Sequence, residues 1–197
     1  MGVPRAALNA VVTGVLLGLV QWGVLVWLAS YLSSTALVYL LSTAVWLAGS
    51  VFGLLARGRG FEWAWLGSAM LAYAACRALA AARPYDLSVL PVLLLCVAVM
   101  GAYAGRFYRF RAPCFGHVKW LLFLENTGFV LGLLLAVMAL FVWGEPALYT
   151  LPWPVAALAL ATARGLDQPA AGASPSAGDV SDRPSSSTTG TIPTSGA

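Results

Sequence analysis

Leu121–Val137, LLFLENTGFVLGLLLAV, is an apolar segment that carries Glu125 and Asn126 side by side, with Gly128 and Gly132 behind them. A carboxylate flanked by this much apolar sequence either packs against other helices or belongs to a site. Five further stretches of the chain share its character and are expected to surround it. The whole chain of 197 residues is 60% hydrophobic and only 9% charged, with a mean hydropathy of +0.84. Soluble domains carry about 25% charged residues, so this balance leaves too little polar surface for a water-facing fold. The composition therefore reads as an all-α, polytopic membrane helix bundle.

A spanning helix needs roughly 20 mostly apolar residues, and six segments qualify: 8–32, 34–55, 62–82, 87–105, 118–142 and 146–163. Ser33-Ser34-Thr35 forms a polar hinge between the first two, and Arg57 to Gly60 interrupts the chain before the third. Pro84 stops the third helix because it cannot continue the hydrogen-bond ladder. Arg106 to Lys119 reads as the one substantial loop. The sixth segment is the weakest, since it contains Pro152 and Pro154. The run from Leu8 is long enough to span and no small-residue cleavage site follows it, so it reads as a retained helix and not a signal peptide. Ala6 stands where a myristoylation signal wants Ser or Thr.

With six spans, Arg5, Arg57, Arg59, Arg106, Arg109, Arg111, Lys119 and Arg164 fall on one side, and Arg77 and Arg83 towards the other. The positive-inside rule then puts both termini in the cytoplasm of a multi-pass inner (plasma) membrane protein. From Gly165 the composition turns to Ser, Thr, Pro, Gly and Ala, which offers too few large apolar groups to offset ordering entropy. The expected domains are a six-helix bundle over 1–164 and a disordered tail over 165–197.

Four segments carry GxxxG, at Gly14–Gly18, Gly49–Gly53, Gly101–Gly105 and Gly128–Gly132. In lipid little hydrophobic force acts between helices, and close backbone approach at small residues drives much of their association. Ala64, Ser68, Ala72 and Cys76 are expected to serve the third helix in the same way. Gln21, Arg77, Glu125 and Asn126 are the polar residues read as lying inside spans. Arg77 sits about 22 Å along its helix and Glu125 about 10 Å along a helix of the same direction, at 1.5 Å per residue. That depth difference disfavours an ion pair between them, and Arg77 is expected to snorkel toward Arg83. Three roles stay open for Glu125: a structural Glu–Asn hydrogen-bonded pair between helices, a proton- or substrate-coupled group, and a neutral buried acid.

No cluster of ligands at metal spacing, nucleotide-binding glycine loop or Ser–His pair is present. No catalytic residue, metal site or cofactor is therefore expected. Cys76, Cys96 and Cys114 read as free thiols, and His117 as a loop residue. Arg106, Arg109, Arg111 and Lys119, interleaved with aromatics, suit anionic lipid headgroups or serve only as topology determinants. Basic residues confined to short connections do not suit nucleic acid, which leaves membrane lipids, a second copy or another membrane protein as partners.

Gly49-Ser-Val-Phe-Gly53 followed by Arg57-Gly-Arg59, together with Glu125-Asn-Thr-Gly-Phe-Val-Leu-Gly132, resembles one six-helix half of a major-facilitator-type bundle. The same residues resemble the multi-span part of spermidine-synthase-like membrane proteins. Facilitators place an Asp-Arg pair after the first loop glycine, and here Arg57 stands at the Asp position. The aminopropyl-transferase domain has no counterpart in these residues, so the resemblance implies architecture over about 8–163 and no transferase activity. The expected function is a membrane subunit or scaffold without catalytic activity. The alternative is a small homodimeric transporter whose path is lined by Gln21, Glu125 and Asn126.

Overall fold

α1 (Val3–Tyr31) is the most deeply buried of the long helices and touches each of the others. Its sequence is apolar on nearly every side, as suits a helix enclosed by neighbours, and Leu16, Leu19, Trp27 and Leu28 are fully buried. The computed structural model describes residues 3–32, 36–56 and 61–164, which lie in one unit, Met1–Asp167. After α1 come α2 (Ala36–Leu55), α3 (Glu62–Ala82), α4 (Leu90–Arg111) and α5 (Val118–Trp143). The short α6 (Glu145–Thr150) and α7 (Pro152–Ala163) follow. Among the described residues there is no strand. Six stretches are long and apolar enough to cross a membrane, with α6 and α7 together making the sixth, Glu145–Ala163.

Three sequence expectations need correction. The first helix starts at Val3, and the fourth continues to Arg111, so Arg106, Arg109 and Arg111 belong to α4 and not to a loop. The centre of the bundle is also different: 67% of the most apolar part of α1 is buried, against 22% for α5. The helix that carries Glu125 is thus peripheral and does not stand in the middle. Hydropathy does not separate the two cases, because lipid tails are as apolar as a protein interior. The Ser33–Thr35 hinge, the Arg57–Gly60 break and the tail from Gly165 lie outside the described residues.

The glycine motifs meet in two reciprocal couples. A Cβ at Gly14 or Gly18 would run into the α5 backbone at Glu125 and Phe129, and one at Gly128 or Gly132 into α1 at Val11 and Val15. In the same way Gly49 and Gly53 face Ala98 and Ala102 of α4, while Gly101 and Gly105 face Trp46 and Ser50 of α2. Residue numbers rise together across both couples, so each pair of helices runs parallel. Only the missing side chains let these backbones touch. The small residues of α3 behave differently, because Ala64 and Ser68 are exposed and only Cys76 is fully buried. α3 instead buries Glu62, Leu66, Met70, Tyr73 and Ala80.

The α6–α7 break has a local cause. Pro152 has no N–H to give the Leu148 carbonyl one turn back, and the Tyr73 hydroxyl of α3 donates to that carbonyl at 2.5 Å. A buried carbonyl must find a partner, and the tyrosine also packs on Trp27, with ring centroids 4.7 Å apart. Between α5 and α6, Gly144 holds φ +74° and ψ −167°, a backbone region that is essentially glycine's alone. At the α3–α4 turn the Tyr85 N–H donates to the Tyr31 carbonyl at 2.5 Å. Asp86 accepts from the Ser88 N–H at 2.9 Å, and those Ser88 bonds hold its carboxyl below the usual range.

Candidate functional site

The most polar part of the interior lies where the N-terminus of α1 meets the ends of α3, α4 and α7. Glu62 opens α3 and Arg111 closes α4, positions where the helix dipoles favour an anion and a cation respectively. Both side chains are buried, and Arg111 Nη2 donates to Glu62 Oε2. The same guanidinium sends Nε to Asn9 Oδ1 at 2.7 Å. Asn9 Nδ2 then donates to the Ala159 carbonyl and to Thr162 Oγ1, both at 2.9 Å. Arg5 extends the arrangement by donating to the carbonyls of Thr162 at 3.2 Å and Ala161 at 3.1 Å. The Ala161 and Thr162 carbonyls, at the end of α7 where no helical donor remains, are taken up by Arg5 of α1. Four helices are tied through one buried ion pair and one amide.

The residues proposed to line a path do not come together. Glu125 is buried, but its partner is Tyr108 of α4, whose hydroxyl donates to Oε2 at 2.5 Å. Asn126 points the other way and is exposed on the outer face of α5, so no Glu125–Asn126 pair forms between helices. Gln21 is half-buried beside Ser42 and Thr43 of α2, around a cavity of about 10 Å³. That is about the room one water needs. Neither Glu125 nor Asn126 lines it. Arg77 does not reach for Arg83. It pairs with Glu145 at 3.0 Å.

The headgroup candidates divide. Arg111 is enclosed in the ion pair described above and presents no face to lipid. Arg106 is also buried; its Nη1 donates to the Ala56 carbonyl at the end of α2, and its guanidinium lies 4.8 Å from the Phe110 ring centroid. Arg109 is exposed, with Nη1 3.4 Å from the Leu54 carbonyl, and Lys119 is exposed at the start of α5. Cations at a helix C-terminus satisfy its last carbonyls, and here α4 supplies them to its parallel partner α2. Asn9, Glu62 and Tyr108 were not singled out from sequence as site residues. Each sits within two turns of a helix end, where a polar residue passes for an interfacial one.

Replacing Tyr108 by phenylalanine removes the donor to Glu125 and leaves a buried carboxyl short of a partner. The expected loss is about 1–3 kcal/mol of stability, read as a lower unfolding midpoint in detergent micelles. In that background Glu125→Leu should cost less than it does alone. Equal costs in the two backgrounds would show that the two groups are not coupled.

Comparison with protein-family models, with curated proteins and with solved structures finds no match to this chain.

Proposed function

We propose that this chain is an inner-membrane protein without catalytic activity that acts as a membrane subunit or scaffold, holding its partner on the outer face of α5. Asn126 carries this reading. It lies eight residues after Val118, about 12 Å along the helix at 1.5 Å per residue, among Phe123, Val130 and Leu134, each more than half exposed. Among the described residues its amide makes no hydrogen bond, whereas the neighbouring Thr127 hydroxyl is satisfied by the Phe123 carbonyl at 2.8 Å. An unpaired amide is unfavourable in hydrocarbon, and Asn is one of the residues that hold membrane helices together. A second helix seated on this face would supply the missing partner. Glu62, Arg111, Asn9 and Glu125 are already engaged within the chain and are not available to one.

Both termini lie on the cytoplasmic side in this reading, following the positive residues. The likeness to one six-helix half of a facilitator-type bundle enters it as an architectural proposal: a unit that assembles against another unit. The test is purification from native membranes in mild detergent, with light scattering and mass spectrometry. The expected result is a stoichiometric second protein or a second copy, lost in Asn126→Leu while the unfolding midpoint stays within a few degrees. A lone, monodisperse bundle would reject the scaffold. A homodimer whose solute flux disappears in Glu125→Gln would replace it with the small transporter.

A further inference from the structure

At the end of the bundle opposite the Glu62–Arg111 pair, α3 and α6 line an open cavity of about 400 Å³. This is within the usual range for small-molecule sites, about 300–1,000 Å³. Ala74 and Ala78 of α3 and Pro146 and Tyr149 of α6 supply apolar wall, and Arg77 and Glu145 supply both charges. Arg77 Nη2 lies 3.0 Å from Glu145 Oε1, with the two side chains 27% and 35% exposed. The pair is held from behind. The Tyr31 hydroxyl donates to the Glu145 carboxylate at 3.0 Å. The Arg77 guanidinium rests 5.2 Å from the Tyr31 ring centroid and 5.7 Å from that of Trp27. A guanidinium has five N–H donors, and the ion pair with Glu145 leaves donors of Arg77 to serve a ligand in the cavity that it lines.

We propose that this cavity binds a zwitterion: a phosphate or carboxylate joined to an ammonium group through about two carbons, with the anion on Arg77 and the ammonium on Glu145. The charge arrangement selects this class. A simple anion meets the Glu145 carboxylate next to its cation, and a simple cation meets Arg77. A dipolar ligand laid antiparallel to the pair gains from both charges and leaves the site neutral. Arg77 lies five residues before the end of α3, about 8 Å at the rise of a helix, and Glu145 begins α6. Both charges therefore sit where hydrocarbon gives way to headgroups. Two sources present this chemistry there, a zwitterionic lipid headgroup and a free soluble zwitterion. The inference does not depend on what covers α5.

The full chain, purified in detergent, is titrated with phosphatidylethanolamine, with phosphatidylglycerol and with soluble phosphoethanolamine. Bound ligand is followed by native mass spectrometry and by the unfolding midpoint. Phosphatidylethanolamine should be retained about tenfold more strongly than phosphatidylglycerol, a preference worth about 1.4 kcal/mol. Glu145→Gln, which removes the acceptor of the ammonium and leaves Arg77 for the phosphate that both lipids carry, should abolish the preference. Ala74→Leu, which fills the cavity and keeps the ion pair, should do so too, so that a folding defect in the first variant does not decide the matter. If soluble phosphoethanolamine binds and is lost in both variants, the site stands and its ligand is a free zwitterion. Equal retention of the two lipids with no binding of soluble phosphoethanolamine would overturn the proposal. So would a preference unchanged in Ala74→Leu.

Discussion

Arg111→Met is expected to destabilise the bundle by about 3–5 kcal/mol, the range for removing one partner of a buried ion pair. The cost arises mainly from what remains. Glu62 stays buried at the start of α3 without its guanidinium, and Asn9 Oδ1 loses the donor 2.7 Å away. Arg111→Lys should recover part of the loss, since the charge is kept but the fork that reaches Glu62 and Asn9 together is not. Glu62→Met/Arg111→Met should cost less than Arg111→Met alone, because two well-packed apolar side chains leave no uncompensated charge. Asn9→Ala removes the amide that links Arg111 Nε to the Ala159 carbonyl and Thr162 Oγ1 of α7, so its effect should show as earlier opening of α7. Unfolding midpoints in mixed micelles give the first three quantities, and hydrogen exchange of α7 amides gives the fourth. Glu62→Met measured alone closes the cycle, and a double variant whose loss equals the sum of the two single losses would show that the pair does not act as a unit.

This clamp was the part least legible in the sequence, for a physical reason. Helices were legible because spanning length and apolar content are local properties, and the breaks at Pro84 and Gly144 follow from the missing N–H of proline and from a backbone region that glycine adopts. Arg111 and Glu62 are 49 residues apart, and Arg111 and Asn9 are 102 apart. Each stands near the end of a span, where Lys, Arg and Glu normally mark topology. Nothing local distinguishes an arginine left exposed, as Arg109 is, from one turned inward, as Arg111 is. The position of α5 is hidden in the sequence for a related reason. In water a fully apolar helix must be buried, but in a membrane it is equally at home facing lipid, so LLFLENTGFVLGLLLAV does not by itself say which way it faces. The informative residues on it are the small ones. Gly128 and Gly132 mark the face that touches α1, and Glu125 shares that buried side, while Asn126, one position on, is rotated out of it.

Gly105→Val is expected to cost about 3 kcal/mol, the upper end of the range for overpacking. A Cβ there would overlap the Ser50 carbonyl oxygen and lie 2.7 Å from its carbon and 2.8 Å from the Leu54 nitrogen. These are backbone atoms of α2, so no rotamer change relieves the contact and the two helices must move apart. Gly67 gives the control, because a Cβ there meets nothing within 4 Å. Gly67→Ala should leave the midpoint unchanged or raise it slightly, since alanine loses less backbone entropy in a helix. The reciprocal geometry adds a sharper expectation. Gly53 and Gly105 lie in one interface, and once Gly105→Ala has parted α2 from α4, adding Gly53→Ala should cost little more. Gly105→Ala combined with Gly128→Ala strikes both couples, and those losses should add. Unfolding midpoints of the three single and two double variants separate the cases. Full additivity within the α2–α4 couple would mean that each glycine relaxes locally, and that the two helices do not shift as rigid bodies.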